Sequence, residues 1–175
     1  MKNEAFMLRE ETPADYSAIH ALIETAFKTA RVKQGDEQDY VGRLRKAGGY
    51  IPELALVAAE GDRLTGHVVF VRQKVDADGG SEANCLLLGC LSVALECRGK
   101  GVGAALVREG LRRAAEMDFN AVFVVGDPAY YGRFGFKEID RFGCRYLGGI
   151  PAPFVQAVEL KPDALSGGTF DINLA

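Results

Sequence analysis

The chain has 175 residues, 48% of them hydrophobic and 26% charged, which suits one ordinary globular domain and excludes a disordered body. Its 21 basic and 24 acidic residues leave a net charge of −3, so the basic face of a nucleic-acid binder is not expected. No run approaches the roughly 20 apolar residues of a membrane span, and the opening Met1-Lys2-Asn3-Glu4 has no apolar leader, so the cytoplasm is the default expectation.

Residues 5–9 form a short apolar run and read as a first strand. Thr12-Pro13-Ala14-Asp15 then starts a helix: Thr12 can cap, Pro13 suits the first helical position and Asp15 favours the positive helix end. Tyr16, Ile19, Ile23, Ala26 and Phe27 follow at helical spacing. A second, more polar helix is expected over residues 36–47, stopped by Gly48-Gly49, with Arg43, Arg45 and Lys46 on a solvated face.

From Leu54 the pattern turns to strands, over residues 54–60, 64–75 and 85–95. Gly61-Asp62 and a polar stretch over residues 76–84, containing Gly79-Gly80, supply the turns, so the three are expected as an antiparallel meander. Residues 101–118 read as a helix with Arg108, Glu109, Arg112, Arg113 and Glu116 on its polar face. Gly103, Val107, Gly110, Leu111, Ala114 and Met117 fall on the other, where small residues allow close approach to a sheet. Residues 121–125 are continuously apolar, as in a strand buried on both faces. Strand, helix and buried strand make a right-handed βαβ unit. Asp127-Pro128 opens a short helix through Phe134, ended by Gly135, and residues 136–139 and 153–160 suit a last antiparallel pair. The expected class is mixed α/β (α+β): a mainly antiparallel sheet, one parallel βαβ crossover, and helices on both faces. One domain spans residues 1–165, and residues 166–175 are left as an unassigned tail.

The four cysteines, Cys85, Cys90, Cys97 and Cys144, fit no zinc spacing, so no metal site is expected and they read as reduced thiols. Cys90 reads as a small buried hydrophobe and His67, amid Val68, Val69 and Phe70, as a satisfied, partly buried imidazole.

Arg98-Gly99-Lys100-Gly101-Val102-Gly103-Ala104 lies between a strand and a helix. Glycines there let main-chain amides converge on an anion, and the helix N-terminus adds positive potential, so a phosphate or pyrophosphate is the natural guest. A Walker A loop does not match. Gly99, Gly101 and Ala104 satisfy G-x-G-x-x-A, yet only 71 residues follow Ala104 (175 − 104), too few parallel elements for a dinucleotide fold. A tight turn needing glycine is the plainest reading.

The stretch resembles the acetyl-CoA pyrophosphate loop of the GNAT N-acetyltransferase superfamily, Arg/Gln-x-x-Gly-x-Gly/Ala, matched by Arg98, Gly101 and Gly103. Leu91-Ser92-Val93 is similar to that family's cofactor-facing fourth strand, and Tyr131-Gly132-Arg133-Phe134-Gly135-Phe136 to its Tyr-x-Lys/Arg-x-Gly-Phe signature. The run from Gly126 to Phe136 resembles a bacterial subgroup of acetyltransferases. Leu95 and Cys97 depart from the family, which often has proline and an aromatic there.

The resemblance implies an N-acetyltransferase using acetyl-CoA as co-substrate and a small-molecule or protein primary amine as acceptor, by direct transfer. It implies that Leu91, Ser92 and Val93 follow the pantetheine arm, at a bulge that opens a slot beside the strand 121–125. Arg98, Gly99, Lys100, Gly101, Val102, Gly103 and Ala104 would hold the pyrophosphate, and Tyr131 would be the general acid. Asp127 stands where a catalytic base is wanted, although capping the helix at Pro128 is the role its residue type favours. Glu24 and Glu53 read as solvated charges, His20 is a weak acceptor-side candidate, and a water chain can replace a dedicated base. No nucleic acid or membrane partner is expected, and a homodimer is left open. A non-catalytic acyl-CoA-binding module of the same fold and a dinucleotide-binding domain are the competing readings.

Overall fold

The structure, a computed structural model, describes residues 5–76, 82–165 and 167–171. Strand β1 (Met7–Glu10) leads through a 3-10 turn into helix α1 (Tyr16–Phe27), and α2 (Glu37–Lys46) follows. The meander is β2 (Tyr50–Glu60), β3 (Arg63–Asp76) and β4 (Glu82–Val93). Helix α3 (Val102–Glu116) then crosses to β5 (Ala121–Val125), and α4 (Pro128–Tyr131) runs into a 3-10 turn, Gly132–Phe134. Strands β6 (Lys137–Glu138), β7 (Cys144–Tyr146), β8 (Val155–Glu159) and β9 (Gly168–Phe170) complete the described sheet. Its order is β1-β2-β3-β4-β5-β8-β6, with β9 pairing both β3 and β7.

The expected βαβ unit is present: β4 and β5 are parallel, joined by α3, inside an otherwise antiparallel run of strands. A second parallel pair, β7 with β9, uses residues of the unassigned tail. One crossover in an antiparallel sheet is not a doubly wound dinucleotide fold, and that reading ends here.

Alternation along the strands divides the core in two. Val57, Val69, Leu87 and Phe123 meet Ile19, Ile23, Val41 and Leu44 of α1 and α2. Leu56, Val68, Phe70, Leu86 and Val122 meet Leu106 and Val107 of α3 on the opposite face. Gly110 sets how closely α3 lies: a β-carbon there would stand 2.1 Å from Phe70 Cε2.

Several boundaries differ from expectation for local reasons. β2 begins at Tyr50 rather than Leu54, with its pairing broken between Tyr50 and Ala55, where Pro52 has no N–H to offer. Leu95 is not in the strand; Ala94 N–H bonds Thr65 C=O and the chain closes into a 3-10 turn, Leu95–Cys97, leaving Leu95 exposed. Met117 follows the last turn of α3 and is likewise exposed. β3 and β4 extend into the expected polar turn, whose centre at residues 77–81 lies outside the described residues.

A buried polar cluster links the meander to the helices. Glu11 Oε2 lies 2.8 Å from His67 Nε2, while its carboxylate accepts from Arg45 Nε (2.8 Å), Arg45 Nη2 (2.9 Å) and Tyr50 Oη (2.8 Å). Arg45 is therefore not on a solvated face, and its guanidinium also covers the Tyr16 ring. His67 is fully rather than partly buried, and its Nδ1 has no hydrogen-bond partner among the described residues. Burial alone would raise the Glu11 pKa, but hydrogen bonds from Arg45 and His67 outweigh it and hold the carboxyl at about 2. Burial holds His67 below its ordinary value, in the neutral form, against the pull of Glu11.

Candidate active site

The site begins with a break in the sheet. β4 pairs β3 through Val69–Cys90 and then Phe70–Leu88, so Gly89 is an extra residue, a β-bulge. The parallel pairing of β4 with β5 ends at Leu88–Val124, while β4 continues to Val93. Beyond that point the strands part, and a cavity of about 750 Å³ lies between them. The bulge and the slot are those expected beside Leu91, Ser92 and Val93, and all three residues line the cavity.

The glycine-rich loop forms one wall. Gly101 caps α3 with φ of +87°, a left-handed conformation that glycine adopts without strain. The first-turn amides of α3, from Val102 to Ala104, have no intrahelical acceptors and sit at the positive end of the helix. Arg98, Gly99, Gly101, Val102, Gly103 and Ala104 line the cavity; Lys100 is exposed and is not among the lining residues. The Arg98 guanidinium reaches across to the end of α1, donating to Thr29 Oγ1 at 2.7 Å and to Ala26 C=O at 2.8 Å. It therefore ties the loop to α1 and places its charge where a helix C-terminus favours it.

Tyr130 and Tyr131 stand on α4, just past the end of β5, with ring centroids 5.1 Å apart at 85°. Tyr131 packs over Gly126, where a β-carbon would lie 2.4 Å from its ring, and against Phe136. Its hydroxyl has no hydrogen-bond partner among the described residues, and burial raises its pKa, so it is a protonated donor at neutral pH. Tyr130 lines the same cavity, and its hydroxyl stands 2.5 Å from the place of a β-carbon on Gly103. It thus faces the glycine-rich helix start from within the cavity wall. Asp127 caps α4, its Oδ1 accepting from Ala129 N–H at 2.9 Å, while Oδ2 lies 3.4 Å from Arg31 Nη1. Both carboxylate oxygens are thereby engaged, and the cap is the role the structure shows.

The inner wall comes from α2, which sequence reasoning leaves out. Glu37 and Tyr40 are buried, line the cavity, and lie within electrostatic reach of the Cys90 thiol on the bulged strand, as does Tyr131. Burial pushes the Tyr40 hydroxyl up to about 12. Burial also pushes the Cys90 thiol to about 12, so it is not a nucleophile. The signal in the sequence is the i, i+3 spacing of Glu37 and Tyr40 on a helix that otherwise looks solvated. His20 pairs with Asp39 at 3.2 Å on the surface, and Glu24 and Glu53 are exposed.

Comparison with known proteins gives a concordant result. Residues 7–139 match the family model described as an acetyltransferase (GNAT) domain. The uncharacterized N-acetyltransferase YhbS of Escherichia coli K12 is 34% identical over 166 residues, 93% of this chain and 92% of that protein. The crystal structure of Escherichia coli YhbS in complex with CoA superposes with a TM-score of 0.81 at 30% identity, covering 95% of this chain and 87% of that one. A GNAT family acetyltransferase from Brucella melitensis, in complex with acetyl-CoA, gives a TM-score of 0.73 at 30% identity over 90% of each chain.

Proposed function

Because the chain belongs to the GNAT acetyltransferase family, we propose that it moves an acetyl group from acetyl-CoA directly to the nitrogen of a primary amine. The observation that carries this reading is the parting of β4 from β5 at the Gly89 bulge, beside the open amides that begin α3. The pantetheine arm would run along Leu91, Ser92 and Val93, bonded by main-chain groups that β5 no longer occupies. The pyrophosphate would rest on the amides of residues 101–104, a ready anion site at a helix N-terminus. Gly99 shapes the loop entry, Arg98 fixes the loop to α1, and exposed Lys100 adds positive potential without direct contact.

In the transfer, the amine lone pair attacks the thioester carbonyl carbon, the C–N bond forms and the C–S bond breaks. A strand amide freed by the bulge would stabilise the carbonyl oxygen as it gains charge. Tyr131 gives its phenolic proton to the departing sulfur, and the proton lost by the nitrogen returns to the phenolate through solvent, so CoA leaves as the thiol. No acyl-enzyme is required, consistent with the buried, protonated state of Cys90. With Asp127 committed to its cap, water carries the proton away from the nitrogen. The catalytic domain comprises residues 1–165, and β9 adds residues 168–170 to its sheet.

A screen of amines with acetyl-CoA and a thiol reagent tests this reading. CoA release that depends on both acetyl-CoA and an amine supports it. Tight CoA binding with no release for any amine would instead identify a non-catalytic acyl-CoA-binding module.

A further inference from the structure

Two groups on one turn of α2 line the inner cavity and take no part in the scheme above. Glu37 is buried, and its carboxylate is oriented by main-chain amides: Gln34 N–H donates to Oε1, and Gly35 N–H lies 3.2 Å from Oε1 and 3.1 Å from Oε2. Among the described residues no cation pairs with it. Tyr40, three residues on, is 7% exposed, and its hydroxyl has no hydrogen-bond partner among the described residues. That hydroxyl faces the bulge, 3.8 Å from where a β-carbon on Gly89 would stand.

A buried carboxylate without a counter-ion and a buried hydroxyl without a partner are each unfavourable, and natural interiors avoid both. Here they occur together, in the wall of the cavity. One kind of ligand relieves both at once: a cation that carries several N–H donors. The other charged groups of the cavity do not compete for the role. Arg31, Lys33, Arg98 and Arg133 line the cavity but are exposed, and they are held by Asp127, the Lys28 carbonyl, the end of α1 and the Tyr130 carbonyl. Asp36 is bonded by Arg43 at 2.6 Å. The rim is thus cationic and suited to a polyphosphate, while the depth is anionic.

We propose that Glu37 and Tyr40 form the subsite that recognises the acceptor as an ammonium ion, so that this protein selects cationic amines and excludes acidic ones. The ammonium donates one N–H to Glu37 Oε2 and another to the Tyr40 oxygen, beside the bulge where the acetyl group would lie. Identifying this ligand as the acceptor rests on the acetyl-transfer reading; the ammonium site itself does not.

The test is binding to the CoA-saturated protein, read by saturation-transfer NMR with pentylammonium as the probe and 1-pentanol as its neutral counterpart. Pentylammonium is expected to bind, and pentanol to bind far more weakly. Glu37→Gln keeps the shape and an acceptor for the loop amides, and should weaken pentylammonium about 10- to 100-fold, as loss of a charged hydrogen bond does. Tyr40→Phe should weaken it by about threefold to tenfold. CoA affinity, measured by calorimetry on each variant, should stay at the wild-type value and certifies the fold. Equal binding of pentylammonium and pentanol, or full pentylammonium affinity in Glu37→Gln with CoA binding intact, overturns the ammonium subsite. A wild-type chain that fails to bind CoA overturns the underlying acetyl-CoA reading instead. For any amine that turns over, Glu37→Gln should raise its KM and leave the KM of acetyl-CoA unchanged; the reverse split also counts against the proposal.

Discussion

Replacing Glu11 with glutamine should destabilise the fold strongly without touching the cavity. The carboxylate holds Arg45 through two bonds of 2.8 and 2.9 Å and reaches Tyr50 and His67 at 2.8 Å each. Glu11 is 8% exposed and the Arg45 side chain 12%, so solvent cannot replace what is lost. Glutamine removes the charge, turns an amide donor toward donors and leaves the guanidinium unpaired. Breaking a buried pair in this way costs about 3–5 kcal/mol. At roughly 2–4 °C per kcal/mol for a chain of this size, Tm should fall by about 6–20 °C. Thermal unfolding followed by circular dichroism at pH 7.5 is the assay, with urea unfolding as the check on the free energy. Replacing both charges, Glu11→Leu with Arg45→Met, should recover part of the loss, because no buried charge is then left alone. The same cluster sets the pH dependence. His67 is held neutral below its ordinary pKa of 6.5, and Glu11 is held at about 2 against an ordinary 4.5. In each case the unfolded chain binds the proton first, so stability is full above about pH 7 and is lost on acidification, from about 6.5 for His67 and again from 4.5 toward 2 for Glu11. A Glu11→Gln protein melting within about 2 °C of wild type would refute the claim that this cluster is a stabilising buried ion pair.

Gly101→Asp and Gly103→Asp should abolish the rise in Tm that CoA gives the wild type, since each places a negative charge at the α3 N-terminus and a side chain on Gly103 would also meet the Tyr130 hydroxyl and Val93; either variant binding CoA normally by calorimetry would remove the loop from the cofactor site. Tyr131→Phe should lower kcat by about 10²- to 10⁴-fold with little change in CoA affinity, whereas Tyr130→Phe should cost far less; more than about half of wild-type kcat in Tyr131→Phe under chemistry-limited conditions would pass the acid role to water or substrate. All four cysteines are buried thiols, with Cys85 and Cys90 pushed by burial up to about 12, so Ellman's reagent should react slowly with native protein and count four after denaturation; a count of two would demonstrate a disulfide.

What the sequence makes legible is local chemistry. The run from Arg98 to Ala104 carries its own turn geometry, and the apolar stretch of β5 needs no partner to be recognised as buried. The βαβ unit follows from these neighbours in order. What stays hidden depends on contacts between distant residues. His67 and Glu11 are 56 positions apart, and Arg98 finds its partners 69 and 72 positions away. Arg45 reads as solvated because its two neighbours in charge, Arg43 and Lys46, make the turn look uniformly polar. Tyr40 and Glu37 escape notice for the same reason: a polar helix conceals one inward-facing pair. Gly168–Phe170 has too short an apolar pattern to announce a strand, and only pairing with β7 and β3 makes it one.

The central claim is direct acetyl transfer in the slot between β4 and β5. It is tested most directly by mass spectrometry of a reaction containing the protein, acetyl-CoA with an isotope-labelled acetyl group, and an amine found in the screen. The expected result is labelled N-acetylamine and free CoA in equal amounts, with the protein's own mass unchanged at every time point. CoA released without labelled amide, or an acetylated protein that forms and then decays as product appears, would contradict it.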